Sequence, residues 1–325
     1  MELGRLDIAT IRSRKLSCVL IAVLFSAVLF AEEPGVSVPR RTKITATKSW
    51  SVRWQPMRVV NGTPVLFRVM APAPLESLSG KWMEHEVFFN LDTANKTWYG
   101  FAGSSLQVRP GSYPLELKAT TISGKGITFE RKITIQAAKY PRIAIQVAKQ
   151  YTEPNPEQLK KVSHDTSVKQ EVFHKVSPEQ EWSGKFQAPV DARISDVFGT
   201  QRTINGKVQS THQGLDYAVP SGTPVAAVNT GTVLLARPLY FEGNCVVLDH
   251  GQGLLTLYMH LSEIKVKEGE KIERGEEIGL SGGSGRATGP HLHLAVRWQG
   301  IYLNPATLLR LNLPKLEAAS DRQLR

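Results

Sequence analysis

Gly289-Pro290-His291-Leu292-His293-Leu294 alternates histidine with leucine directly after a Gly-Pro break. In a strand, residues two apart share a face, so His291 and His293 point one way and Leu292 and Leu294 point the other, toward a core. Strands that are apolar on one side only belong to antiparallel sheets. Two histidines facing one spot have little structural use, so metal or catalytic duty is expected of the pair.

The same texture extends upstream. From Phe186 to Leu309 short β-type runs are broken by glycine at nearly every turn, among them Gly199, Gly214, Gly231, Gly243, Gly253 and Gly279. A dense strand–turn–strand rhythm of this kind predicts a compact antiparallel β domain. Within it, Leu257-Tyr258-Met259-His260 alternates and puts Tyr258 and His260 on a shared face. Thr211-His212-Gln213-Gly214-Leu215-Asp216-Tyr217 sets a histidine and a carboxylate four apart, able to converge if the backbone turns at Gly214. Imidazole and carboxylate are both good zinc ligands. His250, in Leu248-Asp249-His250-Gly251, reads as a turn residue.

Cysteine cannot supply a metal site here. The chain has only Cys18 and Cys245, with no CxxC, so any metal falls to histidine and carboxylate. Cys245 lies in an apolar strand pattern and reads as a small buried hydrophobe. Gly282-Gly283-Ser284-Gly285 lacks the following Gly-Lys-Ser/Thr of a phosphate loop, which argues against a nucleotide site.

The amino terminus belongs to export rather than to the fold. Arg12, Arg14 and Lys15 precede an uncharged run from Leu16 to Ala31, followed by Glu32, Glu33 and Pro34. Sixteen helical residues span about 24 Å, short of a hydrocarbon core of roughly 30 Å, which favours a cleaved signal peptide over residues 1–31 rather than a retained anchor. The full chain carries 40 basic and 29 acidic residues; removing 1–31 takes four and two of these, leaving +9. That charge suits attraction to anionic polymers or lipid surfaces. Without any basic–aromatic motif it does not indicate nucleic acid.

Residues 42–148 read as six or seven short β-branched and aromatic strands separated by turns such as Asn61-Gly62 and Pro110-Gly111. This resembles an immunoglobulin-like β-sandwich. His85, between two glutamates, reads as a strand-surface residue. Residues 149–187 read as an extended or partly helical linker, with Glu153-Pro154-Asn155-Pro156 as a helix start and with His164 and His174 solvated. Residues 188–310 then form the second domain, with a short terminal helix in Ala306–Leu311, and residues 311–325 a polar tail. The fold class expected is mainly β: an N-terminal sandwich and a C-terminal antiparallel sheet domain.

Taken together, the His212–Asp216 segment, the Tyr258–His260 segment, the His291–His293 segment and the spacers around Gly222-Thr223-Pro224, Asp249-His250-Gly251 and Gly289-Pro290 resemble the lysostaphin-type (LytM-like) zinc metallopeptidases, a family of cell-wall endopeptidases. The resemblance implies His212, Asp216 and His293 as the ligands of a Zn2+ cofactor, and His260 and His291 as the paired catalytic histidines. A set of two histidines and one carboxylate leaves a fourth tetrahedral position open, as catalytic zinc sites require. The family further implies hydrolysis of peptidoglycan stem peptides and cross-bridges in the periplasm or cell envelope, by a protein with no membrane span once the signal is removed. The other reading is a wall-binding or amidase-activating protein on the same fold. Contacts with other envelope proteins, and partial occlusion of the zinc site by the sandwich or linker, are further expectations.

Overall fold

Ser51–Gln55 and Val59–Val60 are separated by only three residues yet lie at opposite ends of one strand order. Between them come Pro64–Met70, Thr97–Gly103, His85–Asp92, Leu75–Trp82, Gly111–Thr121 and Gly126–Gln136. The computed structural model that shows this describes residues 49–174 and 176–315. The signal-peptide reading of 1–31, and the tail beyond 315, lie outside the described residues. One strand folds the sheet into two layers: His85–Phe88 pairs with Leu75–Trp82, while Phe89–Asp92 pairs with Thr97–Gly103. Leu115, Leu117, Ile133 and Ile135 alternate with exposed charged or polar neighbours and fill the space inside with Phe67 and Trp82, whose rings meet edge-on at 5.3 Å.

The carboxy-terminal half is built on an antiparallel sheet in the order Ile194–Asp196, Gly214–Tyr217, Leu292–Trp298, Leu254–Leu261, Gly243–Asp249, Gly231–Leu239 and Lys271–Ile272. One face buries Leu215, Tyr217, Val246, Leu248, Tyr258, Leu292 and Leu294 in a core that runs on into the amino-terminal sheet. The opposite face buries Leu235, Val247, Leu255, Leu257 and Ala295 under Phe173, Val168 and Val172 of the helix Pro156–Phe173. That helix begins at a capping box, with the Asn155 side chain accepting from the Gln158 amide and the Gln158 side chain accepting from the Asn155 amide. Lys169 pairs with Glu242 at 2.5 Å and the Tyr240 amide donates to Asp165 at 2.6 Å, so the helix is docked on the sheet. After it, Trp182 and Phe186 are core residues rather than linker surface.

Two further departures from the sequence expectation concern pairing. Arg142–Ile145, assigned to the end of the sandwich, lies parallel to Gln201–Ile204 and extends the hairpin that this strand makes with Val208–Thr211. His85 is not a free surface residue: its ring lies 5.0 Å from that of Trp298, and burial lowers its pKa. Trp298 also meets Phe101 edge-on, Leu303 packs at Gly103, and the Asn304 amide donates to the Gly62 carbonyl. These contacts lie at the Trp298 end of the strand Leu292–Trp298, away from His291 and His293, whereas Gly62 and Tyr140 meet Phe198, next to the Val197 carbonyl that His212 faces. No helix of the described residues is long and apolar enough to cross a membrane.

His250 is corrected from turn residue to buried structural histidine. It is fully buried, with Nδ1 donating to the Thr230 carbonyl at 2.7 Å and Nε2 bonded to the Thr256 hydroxyl at 2.8 Å. Burial, outweighing the Thr230 bond, pushes its pKa down to about 4. An unfolded histidine titrates near 6.5, so between these values the unfolded chain binds more protons and stability falls as the pH falls. Over that window the loss is on the order of 2 kcal/mol between pH 7 and pH 5. Urea unfolding with chelator present should show this slope in the native chain and a shallower one in His250→Gln. Identical slopes would remove His250 as its source.

Candidate active site

Register builds the site. Asp216 pairs directly with His293 across neighbouring strands, so both side chains share the face that Leu292 and Leu294 turn away from. His212 enters from the loop before Gly214, held by its amide on the Thr200 carbonyl and its carbonyl on the Gly199 amide, both at 2.8 Å. Gly214 is needed for a close approach: a Cβ there would lie 2.3 Å from His293 Nε2.

Three potential ligand atoms converge. His212 Nε2 lies 3.0 Å and His293 Nδ1 2.7 Å from Asp216 Oδ1, and the two nitrogens are 3.1 Å apart. Among the described residues these three form a cluster able to hold a metal ion. The tautomers support that use. His212 Nδ1 donates to the Val197 carbonyl at 2.8 Å, so in the neutral ring Nε2 turns a lone pair toward a carboxylate oxygen. Lone pairs face each other there unless a cation lies between them. Zinc, which binds imidazole and carboxylate at about 2.0–2.2 Å, suits the donor set. Burial raises the Asp216 pKa, but His293 and His212 outweigh it and hold the carboxyl ionised, well below the usual range.

Two more histidines face this cluster. The His260 ring lies 4.8 Å from that of His291 and 6.0 Å from that of His293, and His291 Nε2 is 3.9 Å from Asp216 Oδ1. Each is oriented through Nδ1, which donates to a backbone carbonyl at 2.8 Å: Ser284 for His260, Gly289 for His291. Each neutral ring then keeps its Nε2 lone pair for the site. Burial, followed by the nearby His293 and His291, pushes His260 down to about 3, so it is neutral at pH 7.

The expected sharing of a face by Tyr258 and His260 is overturned. Tyr258 is buried in the opposite core, its hydroxyl accepting from the Val228 amide at 2.9 Å. His260 has φ +64°, and this left-handed residue breaks the alternation and turns the imidazole to the histidine face. Its amide donates to the Glu242 carbonyl at 2.9 Å, which ties it to the turn where the helix Pro156–Phe173 docks.

Several supporting residues escaped the sequence reading. Asp196 and Arg202 lie behind His212 and Asp216, and Ser284 orients His260 through its carbonyl. Backbone roles such as that of Ser284 leave no side-chain signature, and a lone Asp or Arg in a short strand carries no spacing signal. At the turn that carries Glu242, Tyr151 meets Tyr240 at 5.4 Å and Arg286 covers the Phe241 ring at 4.8 Å. Residues 147–153 bridge this turn and the hairpin: Val147 bonds Asn205 at the hairpin tip, and the Tyr240 hydroxyl donates to the Gln150 carbonyl.

Residues 210–305, which hold all five of these histidine and aspartate positions, match the family model of peptidase family M23. This part of the chain is a peptidase family M23 domain. The chain is 40% identical over 140 residues to the peptidoglycan DD-endopeptidase ShyA of Vibrio cholerae serotype O1, covering 42% of this chain and 32% of that one. It is likewise 40% identical over 130 residues to the DD-carboxypeptidase/endopeptidase Mpg of Neisseria meningitidis serogroup B, covering 40% and 30%. The chain thus spans about a third of the length of the curated relatives it matches. A Pseudomonas aeruginosa structure assigned to peptidase M23 superposes with TM-score 0.58 at 26% identity, over 78% of this chain and 95% of that one. The M23 match covers residues 210–305 of the 325, which carry the histidine face, and the amino-terminal sheet lies outside it.

Proposed function

We propose that this chain is a zinc-dependent endopeptidase that hydrolyses peptide cross-links of bacterial peptidoglycan. The observation that carries the reading is the meeting of five side chains on one sheet face: His212, Asp216 and His293 within ligand distance of one another, with His260 and His291 beside them. The relatives named as peptidoglycan DD-endopeptidases support the substrate class.

In this reading His212 Nε2, Asp216 Oδ1 and His293 Nδ1 hold the metal. Bound zinc would polarise the scissile carbonyl and lower the pKa of the attacking water toward about 7. The chain's own work is proton handling and orientation. His260 and His291 are fixed by their Nδ1 bonds, so that each Nε2 is available to take the water's proton, to hydrogen-bond the developing oxyanion once protonated, or to deliver the proton to the leaving amine.

The signal-like residues 1–31 and the wall substrate together support secretion to the periplasm or cell envelope, where other envelope proteins would be partners. The strand order of the amino-terminal sheet, with Ser51–Gln55 and Val59–Val60 at its two ends, supports an immunoglobulin-like sandwich; residues 188–310 would be the peptidase domain, with the intervening segment 149–187 packed on it through the helix Pro156–Phe173. Incubating the full chain with purified sacculi and separating the products by mass spectrometry tests the reading. Cross-linked dimers should convert to uncross-linked fragments, the conversion should stop with chelator, and zinc should restore it. Binding to sacculi without released fragments would instead establish a non-catalytic wall-binding or amidase-activating protein.

A further inference from the structure

Arg202 lies in the middle strand of the small sheet formed by Val208–Thr211, Gln201–Ile204 and Arg142–Ile145, and its side chain reaches back to the metal cluster. One guanidinium there serves two carboxylates. Nε and Nη2 both donate to Asp196 Oδ2, at 2.8 and 2.5 Å, and Nη2 also donates to Asp216 Oδ2 at 2.7 Å. All three side chains are largely shielded, at 19% exposure for Arg202, 14% for Asp196 and 8% for Asp216.

The arrangement divides the Asp216 carboxylate between two tasks. Oδ1 faces His212 and His293, while Oδ2 is taken up by Arg202. Asp196 is itself held, its Oδ1 accepting from the Thr200 hydroxyl at 2.7 Å and from the Val197 amide at 2.8 Å. The same loop fixes the back of a second ligand: His212 Nδ1 lies 2.8 Å from the Val197 carbonyl and 3.4 Å from Asp196 Oδ2. A single short segment, 196–202, therefore holds the outer atoms of two of the three proposed ligands.

We propose that Arg202, anchored by Asp196, is a positioning residue for the metal site: by occupying Asp216 Oδ2 it leaves the carboxylate a single oxygen to offer the zinc ion. This proposal rests on the ligand set of the preceding subsection. Engaging both carboxylate oxygens would use a coordination position that a catalytic site must keep open. The guanidinium also fixes the carboxylate plane through charge-assisted bonds, which a single-point ammonium cannot reproduce. Partners of metal ligands commonly change affinity by about 10- to 100-fold when removed.

The test measures zinc affinity of the full chain by competition with a chromophoric chelator, together with the visible spectrum of the Co(II)-substituted protein. Arg202→Met should bind zinc about 10- to 100-fold more weakly and show an altered Co(II) ligand-field spectrum. Arg202→Lys should fall between Met and the native chain. A role confined to anchoring the hairpin would lower the urea midpoint of the metal-free variants and leave affinity and spectrum as in the native chain; that result, in either folded variant, overturns the proposal. Should Arg202→Met fail to fold, Arg202→Lys decides on the same criterion. A native chain that takes up no zinc would overturn the ligand assignment itself, and this proposal with it.

Discussion

His293→Ala is expected to abolish stoichiometric zinc binding and sacculus hydrolysis together. His293 Nδ1 is one of three converging donor atoms, and with it gone His212 and Asp216 offer only two, too few for a protein zinc site. The same loss is expected of His212→Ala and Asp216→Ala, but each of these also breaks a structural tie. His212 loses its bond to the Val197 carbonyl and Asp216 its ion pair with Arg202, so both should be less stable even without metal. His293→Ala is the cleanest of the three because its side chain bonds only within the cluster among the described residues. In thermal melts with zinc at 100 times Kd, the native chain gains about 2.7 kcal/mol from the metal, worth several degrees in Tm, and the variant should gain none. Metal analysis showing one zinc per chain in all three alanine variants would sink the ligand assignment.

How far the sequence discloses this site depends on whether the backbone follows its local rule. At His291–His293 it does: alternation, the buried Leu292 and Leu294, and the Asp216–His293 register agree, so the two-residue spacing gives the right face. At Tyr258–His260 it does not, because a positive φ at His260 cancels the alternation, and nothing in a histidine announces that conformation. His250 looked like a turn residue because Asp249 and Gly251 flank it. Its ring instead bonds Thr230, just before the neighbouring strand Gly231–Leu239, and Thr256 across the turn, partners that the flanking residues do not announce. The fold divides in the same way. Alternating strands such as Gly111–Thr121 are legible, whereas Leu75–Trp82, with two serines and a glycine, is a strand because Gly111–Thr121 and His85–Asp92 pair with it on either side. The parallel pairing of Arg142–Ile145 with Gln201–Ile204 joins residues some sixty apart, beyond the reach of any local pattern. The helix Pro156–Phe173 is legible at its capped start. Its sparse apolar residues show their use only against the sheet that Phe173 covers.

The second large effect concerns the histidines that do not belong to the ligand cluster. His291→Ala should bind zinc as the native chain does and hydrolyse sacculi at least about 100-fold more slowly, the usual scale for losing a general acid–base group. For His260 the choice of replacement matters. At φ +64° alanine adds backbone strain on the order of 1 kcal/mol, whereas asparagine adopts this region more readily. His260→Asn should therefore fold and hold zinc with near-native stability while losing a similar factor in rate, because its amide cannot exchange a proton at the place of Nε2. His260→Ala should show the same kinetic loss with a lower melting temperature. The pair of His260 variants thus separates chemistry from strain: the rate should follow the imidazole and the stability should follow the backbone. Combining His260→Asn with His291→Ala should cost less than the product of the two single losses, since both rings act on the same proton inventory. Native turnover in either folded, zinc-loaded single variant would remove that histidine from the reaction.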